Sequence, residues 1–340
     1  MKNLSILAFA NDTGSIRWRL QNPANYINSR TNHEMFVTSH KNWSENTLGA
    51  DIVIAQLWRN PEGVRLCKAQ GSRVIYEADD IILGVGGKER SKLMQLTKEE
   101  EDQTKETIAL CDAVTVTTEV LADHYRQFNK NVFVLPNYMD FLWWGEPWMT
   151  KKYGETLRIG WMGSYSHHED LLWISDVMER VVKEFPFVKF IYCGHGGNTL
   201  GLNYGQDIFE KIPSNRREFY PGVSVDYWPF KAKSLNLDIG IAPLLDDEFN
   251  AGKSPIKWME YASCGVPSVL SDTVVYNKVV KHGVNSLLAK SKDEWYHMLE
   301  SLILSDDLRH MIAKEAMKEV FTKWNLDDHY QEWIDVFNKV

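Results

Sequence analysis

The sequence is poor in several things that would decide its class. It has 4 cysteines in 340 residues, Cys67, Cys111, Cys193 and Cys264. They are scattered, each near an apolar run, and share no metal-ligand spacing. That excludes a disulfide scaffold or a zinc module and leaves buried thiols of a reducing compartment. No apolar stretch approaches the ~20 residues that span a bilayer, so stable membrane insertion is not expected. The opening MKNLSILAFAND has one lysine and too short an apolar run for a signal peptide; it reads as a first strand, and a cytoplasmic location is expected. Basic charge is not in excess either. With 38 Lys+Arg against 46 Asp+Glu the net charge is −8, which argues against broad nucleic-acid or anionic-membrane binding and leaves room only for a local basic cleft. No segment is of low complexity, and no internal repeat is visible.

What is present is a rhythm. Short apolar runs at Leu4–Phe9, Asp51–Gln56, Ser72–Glu77, Ala113–Thr117 and Val132–Pro136 alternate with helical segments at Ile16–Ser29, Pro61–Gln70, Lys98–Leu110 and Glu119–Gln127. Such βαβα alternation implies a parallel sheet covered on both faces. It breaks at Asn137–Thr156, rich in aromatics and turn formers. It then restarts with strands at Leu157–Met162, Lys189–Cys193, Leu237–Pro243, Pro267–Leu270 and Ser286–Leu288. Helices are expected at Asp170–Glu184, Pro255–Ala262, Lys292–Leu304 and Asp307–Trp324. The fold class is therefore α/β, with two doubly wound, Rossmann-like domains at residues 1–150 and 151–324. Residues 325–340 form an amphipathic helix with Tyr330, Trp333, Ile334 and Phe337 on one stripe. It either closes the second domain or packs back on the first.

Ligands of open α/β sheets bind outside the carboxyl ends of the strands, and suggestive residues fall there. Gly14 follows the first strand, and Arg17 and Arg19 open the next helix, for a phosphate, an acidic acceptor or surface salt bridges. "VIYEADD" brings Asp79 and Asp80 to a strand end, where one of them would orient or deprotonate a hydroxyl, or cap a turn. "GWMGSYSHHED" offers the backbone amides of Gly163 and Ser164, with His167 as a donor to an anion. The adjacent His167 and His168 point apart, so no metal is expected from them. "YCGHGGN" is a further glycine-rich strand exit. Trp143, Trp144 and Trp148 either stack a sugar or pack at the domain boundary. In "FNAGKSPIKWMEYASCGVPSVLS", Ser254 suits a helix N-cap and Pro255 the first helical position, making a basic helix start fit for phosphate.

Together, "GWMGSYSHHEDL", "LDIGIAPLLDDEFNAGKSPIKWMEYASCGVPSVLSD" and "VKHGVNSLL" resemble the C-terminal half of GT-B glycosyltransferases of group 1 (family 4). "RVIYEADD", "CDAVTVTTEVLADHY" and "NVFVLPNYMD" are similar to the N-terminal half of a subset of them. The resemblance implies two Rossmann-like domains facing across a cleft, an acceptor domain and a donor domain. It implies a retaining, metal-independent enzyme without a cofactor, moving a sugar from a nucleotide-diphosphate donor to an acceptor hydroxyl. By position it puts Glu260 on the donor ribose, Gly163, Ser164 and Gly14 near the diphosphate, and Asp79 near sugar and acceptor. Two departures stand out. Gly252 occupies the place of the family's first, sugar-reading glutamate, and His167 and His168 stand where many members carry a basic pair. "PIKWMEY" fits a variant PxKxxEY pattern in which Lys253 and Lys257 supply the charge. Lys253, Lys257, Ser254, Gly163 and Ser164 would then stabilise the leaving diphosphate, with the base near Val225–Ala232, against Trp228. The acceptor stays open among polysaccharide, lipid-linked sugar, protein, small metabolite and modified nucleic-acid base. A nucleotide-sugar 2-epimerase and a non-catalytic nucleotide-sugar-binding subunit are the competing readings.

Overall fold

A computed structural model describes residues 3–10, 14–43, 49–84, 96–146, 154–194 and 208–340. The chain divides into two compact units. The first takes Met1–Asp140, Gly252–Ser254 and Trp324–Val340; the second takes Phe141–Ala251 and Pro255–Lys323.

In the first unit, β1 (Ser5–Ala10), β2 (Glu34–Ser39), β3 (Ile52–Gln56), β4 (Arg73–Ala78), β5 (Ala113–Val116) and β6 (Val132–Val134) form a parallel sheet in the order β2-β1-β3-β4-β5-β6. The central strands are apolar on both faces because both are covered. One face buries Ile6, Ala8, Ile54 and Ile75 with Ile27, Trp333 and Phe337 from the Asn22–Arg30 and Gln331–Lys339 helices. The other buries Phe9, Val53, Val74 and Val114 with Val64 and Ile108 from the Pro61–Ala69 and Lys98–Leu110 helices. Chain order reverses between β1 and β3, so this sheet's switch point lies at their carboxyl ends.

In the second unit, β7 (Leu157–Gly163), β8 (Val188–Gly194), β9 (Arg217–Pro221), β10 (Ile239–Ala242), β11 (Ser268–Ser271) and β12 (Leu287–Ala289) run parallel in the order β12-β11-β10-β7-β8-β9. Its switch point lies between β7 and β10. Both sheets are as expected in kind, α/β and doubly wound. Two strands, β2 and β9, fall outside the expected set, and each is a sheet edge. An edge strand has one neighbour and half-exposed side chains, so "EMFVTS" and "REFYP" lack a continuous apolar run.

Three local expectations are corrected. The Ile16–Ser29 helix is broken into Gly14–Ile16, a π-helical turn Arg17–Gln21 and an α-helix Asn22–Arg30. Pro23 has no N–H for the carbonyl of Arg19, and the Asn22 N–H reaches back to Arg17 instead. The closing helix is split into Leu326–His329 and Gln331–Lys339. The helix expected from Pro255 runs Ile256–Ser263, with Pro255, not Ser254, at its N-cap and no side-chain cap. The four cysteines form no disulfide among the described residues, and burial pushes the thiols of Cys67 and Cys193 up to about 11. Among the described residues, no helix is long and apolar enough to cross a membrane.

Candidate active site

In the second unit the site is built at the exit of β7. Gly163 ends that strand, and a Cβ there would stand 2.7 Å from the Trp161 ring and 3.0 Å from Lys257 Cε. Only glycine lets the backbone and the Lys257 side chain approach so closely. Lys257 and Glu260 are three residues apart on the Ile256–Ser263 helix and therefore share a face. Glu260 is only 2% exposed, and both carboxylate oxygens are held. The Trp228 indole N–H donates to Oε1 at 2.6 Å, and Lys257 Nζ donates to Oε2 at 2.9 Å. The Trp228 ring also lies under the Lys257 ammonium, 6.0 Å from its centroid. Burial of a carboxylate is tolerated only with such partners. The Val225–Ala232 stretch is a 3₁₀ turn, Val225–Tyr227, followed by the Trp228–Ser234 helix, and Trp228 is half-buried there.

His167 closes a 3₁₀ turn, Tyr165–His167, directly before the His168–Glu184 helix. Its Nδ1 is 2.9 Å from Oδ2 of the fully buried Asp170. The other oxygen of Asp170 accepts from the Leu245 amide at 2.8 Å and from Asn250 Nδ2 at 3.0 Å. The His167 ring stands edge-on to Trp161, 5.8 Å between centroids, the same indole that packs against Gly163. Asp170 is not among the residues that the sequence singles out. Its only sequence signal is an acid three residues after a histidine at a helix start.

In the first unit a second polar cluster gathers at the ends of β3, β4 and β5, where Gln56, Glu77 and Thr115 are register neighbours. Arg19 forms a buried ion pair with Glu77, with Nε–Oε1 at 2.6 Å, and donates to the Leu135 carbonyl and to Asn137 Oδ1. Arg19 is thus committed to the core and is not a surface phosphate ligand; the π turn is what points it inward. Arg17 is half-buried in the same turn. Gly14 is exposed. A Cβ there would meet no described atom within 4 Å, and its backbone is not left-handed, so nothing among the described residues requires a glycine at this position.

Asp79 and Asp80 follow β4. Burial, then the neighbouring charges of Asp80 and Glu77, push the Asp79 carboxyl up to about 7. Asp80 pairs with Lys253, Nζ–Oδ1 3.4 Å, and its carbonyl accepts from the Tyr125 hydroxyl at 2.9 Å. Ser254, expected as a helix cap, instead accepts from Asn137 Nδ2 at 2.7 Å, and the Gly252 carbonyl accepts from Thr118. A Cβ on Gly252 would meet Ile81 and Leu121, each at 3.0 Å. Gly252–Ser254 is therefore fixed within the first unit through Asp80, Thr118 and Asn137. Trp143 donates to the Asp226 carbonyl and Trp144 is buried; Trp148 and His195–Asn198 lie outside the described residues. Among those residues, no cluster of three or more His, Cys, Asp or Glu is arranged to hold a metal ion.

Residues 156–304 match the family model described as glycosyl transferases group 1. The fold is similar to that of sucrose-phosphate synthase from Thermosynechococcus elongatus, with a TM-score of 0.74 and 10% identity over 99% of each chain. Anabaena HepE in complex with UDP-glucose is similar at a TM-score of 0.68 and 12% identity, over 99% of this chain and 100% of that one. A glycosyltransferase from Rickettsia africae is similar at 0.68 and 10% identity, over 100% and 99%. No curated protein matches the sequence closely enough to count as a relative. Residues 156–304 thus match the group 1 glycosyl transferase model, and the fold of the chain is similar throughout to that of these solved GT-B structures.

Proposed function

We propose that this protein is a retaining glycosyltransferase that moves a sugar from a nucleoside-diphosphate donor to an acceptor hydroxyl, without a metal ion. The observation that carries the reading is Glu260, a buried carboxylate clamped by Trp228 and Lys257 beside the glycine exit of β7. A carboxylate so held is preorganised to accept hydrogen bonds from the two ribose hydroxyls on its remaining lone pairs. Lys257, His167, the amides of Gly163 and Ser164 and the N-terminus of the Ile256–Ser263 helix are the cationic and N–H groups of that unit for the diphosphate.

In the reaction the anomeric C–O bond breaks and its electron pair passes to the diphosphate oxygen, where these groups offset the growing charge. The acceptor oxygen bonds to the same face of the anomeric carbon, and its proton passes to the departing diphosphate or to Asp79. Lys253, bound to Asp80, serves as that carboxylate's counter-ion rather than as a diphosphate ligand. A UDP-linked hexose is the first donor to try, since HepE is bound to UDP-glucose.

The test is a panel of nucleotide sugars screened for thermal stabilisation, slow donor hydrolysis and transfer to sugar, lipid-linked and peptide acceptors, with product anomers read by NMR. Transfer with retained configuration in the presence of chelator is expected. Exchange at sugar C2 without hydrolysis or transfer would instead make the protein an epimerase, and binding without any turnover a binding subunit.

A further inference from the structure

We infer that Asp170 is a positioning residue for the donor diphosphate, acting through His167; this rests on the donor reading given above. Asp170 has two separable jobs, one per oxygen. Oδ1 takes two donors, the Leu245 amide and the Asn250 side-chain amide, both in the segment that follows β10. Oδ2 takes the His167 ring, at the exit of β7. One buried carboxylate thus ties together the exits of the two strands that flank the switch point, where a ligand of such a sheet binds.

The chemistry of the carboxylate fixes which way the ring is used. A carboxylate only accepts, so Nδ1 must carry its proton toward Asp170. Nε2 is then the nitrogen through which the ring serves a ligand, and a ring with protons on both nitrogens gives an anion a charge-assisted donor. The edge-on Trp161 packs against the same ring and against Gly163, so ring, glycine amide and the Lys257 stem are held at one strand end. Charged and titratable groups near the pair include His168 and Glu169 between them in the chain, Asp247, which accepts from the Asn250 amide, Lys257 beyond Gly163, and Tyr276, whose phenol is pushed upward mainly by burial and further by the charges of Asp170 and Glu260.

An asparagine at 170 discriminates between the two jobs. Two donors already converge on the Oδ1 position, so the amide oxygen must take that place and the amide NH₂ must face His167. Nδ1 would then have to lose its proton, leaving a neutral ring. The scaffold bonds to Leu245 and Asn250 survive while the doubly protonated ring does not.

The experiment is a double-mutant cycle on the full chain with UDP as probe, read by calorimetry at pH 6.5. Asp170→Asn is expected to weaken UDP about tenfold in the wild-type background and less than twofold in the His167→Ala background. The ¹⁵N shift of His167 Nδ1 in the UDP complex should report a protonated nitrogen in the wild type and an unprotonated one in Asp170→Asn. A loss that persists undiminished in His167→Ala makes Asp170 a scaffold pin only and overturns the inference, as does wild-type affinity in His167→Ala. Should Asp170→Asn fail to fold, the wild-type spectrum still decides, because an unprotonated Nδ1 refutes the geometry of use. Wild-type protein that binds neither UDP nor any other nucleoside diphosphate overturns the donor reading and this inference together, a result distinct from unchanged variants of a binding-competent protein.

Discussion

The indole of Trp228 donates its N–H to Oε1 of Glu260 across 2.6 Å, from a residue 32 positions earlier in the chain. The bond leaves Glu260 buried yet satisfied, and it changes what Trp228 is for: its polar edge is engaged whatever its ring face does. Trp228→Phe keeps the ring and deletes the donor. Leaving a buried carboxylate oxygen without that partner costs about 1–3 kcal/mol, so UDP affinity measured by calorimetry should fall about tenfold or more. Unchanged affinity would mean that Glu260 does not hold the ribose.

Lys257 and Glu260 are expected to separate in kinetics. On the proposed mechanism Lys257→Ala removes charge from the leaving diphosphate, so kcat should fall ~10²–10³-fold with a smaller change in KM. Glu260→Gln keeps the shape and one acceptor oxygen, and its effect should appear chiefly in KM for the donor. Initial-rate kinetics with the best donor of the panel checks both.

The raised Asp79 carboxyl makes a signed prediction. Its folded value of about 7 lies above the ordinary 3.8, so the folded state holds this proton more tightly than the unfolded state. The stability it contributes is fully present below about pH 3.8 and is lost as pH rises through about 7. Asp79→Asn should therefore be more stable than the wild type at pH 8 in denaturant titrations, with the advantage shrinking toward pH 4. If Asp79 is also the acceptor-side base, transfer by the wild type should rise with pH through about 7, and Asp79→Asn should flatten that rise.

Arg19→Met tests whether the first unit uses its arginine as scaffold. Arg19 and Glu77 are both buried, and removing one partner of such a pair strands the other charge at a cost of about 3–5 kcal/mol. A large fall in unfolding free energy is expected at pH 7. The double variant Arg19→Met with Glu77→Gln should regain part of it. A stable Arg19→Met protein with weakened donor binding would return Arg19 to a phosphate role.

Gly252→Glu restores the residue type common at this position in the resembling family. It should not restore function, because the new Cβ meets Ile81 and Leu121. Overpacking of this kind costs about 1–3 kcal/mol. A melting experiment should show the loss, and Leu121→Ala in the same chain should relieve part of it.

How much of this can be read from the residues follows from the range of each interaction. Buried central strands stand out as apolar runs, whereas β2 and β9, half-exposed at the sheet edges, do not. Lys257 and Glu260 can be paired from sequence because helical spacing puts them side by side. The two donors to Asp170 Oδ1 lie 75 and 80 residues away, and Arg19 meets Glu77 across 58, distances at which no local pattern operates. Ser254 has the right residue type for a cap, but the Asn137 side chain, 117 residues away, takes its hydroxyl. Local chemistry offers the options, and tertiary contacts choose among them.

The last helix carries a consequence for how the molecule comes to be. Trp333 and Phe337 lie in the same core as Ile6, Leu20 and Ile54, so the first sheet cannot complete one of its two covers until residues 324–340 have left the ribosome. Contacts of that span are slow to close. The second unit, whose residues have all emerged by then, is free to fold first, and the unit whose strands come first in the sequence closes its core last. A fragment ending at Asp140 keeps the Asn22–Arg30 helix but should leave the part of that apolar face under Trp333 and Phe337 exposed and aggregate, while one joined to residues 324–340 through a flexible linker has what it needs to bury it.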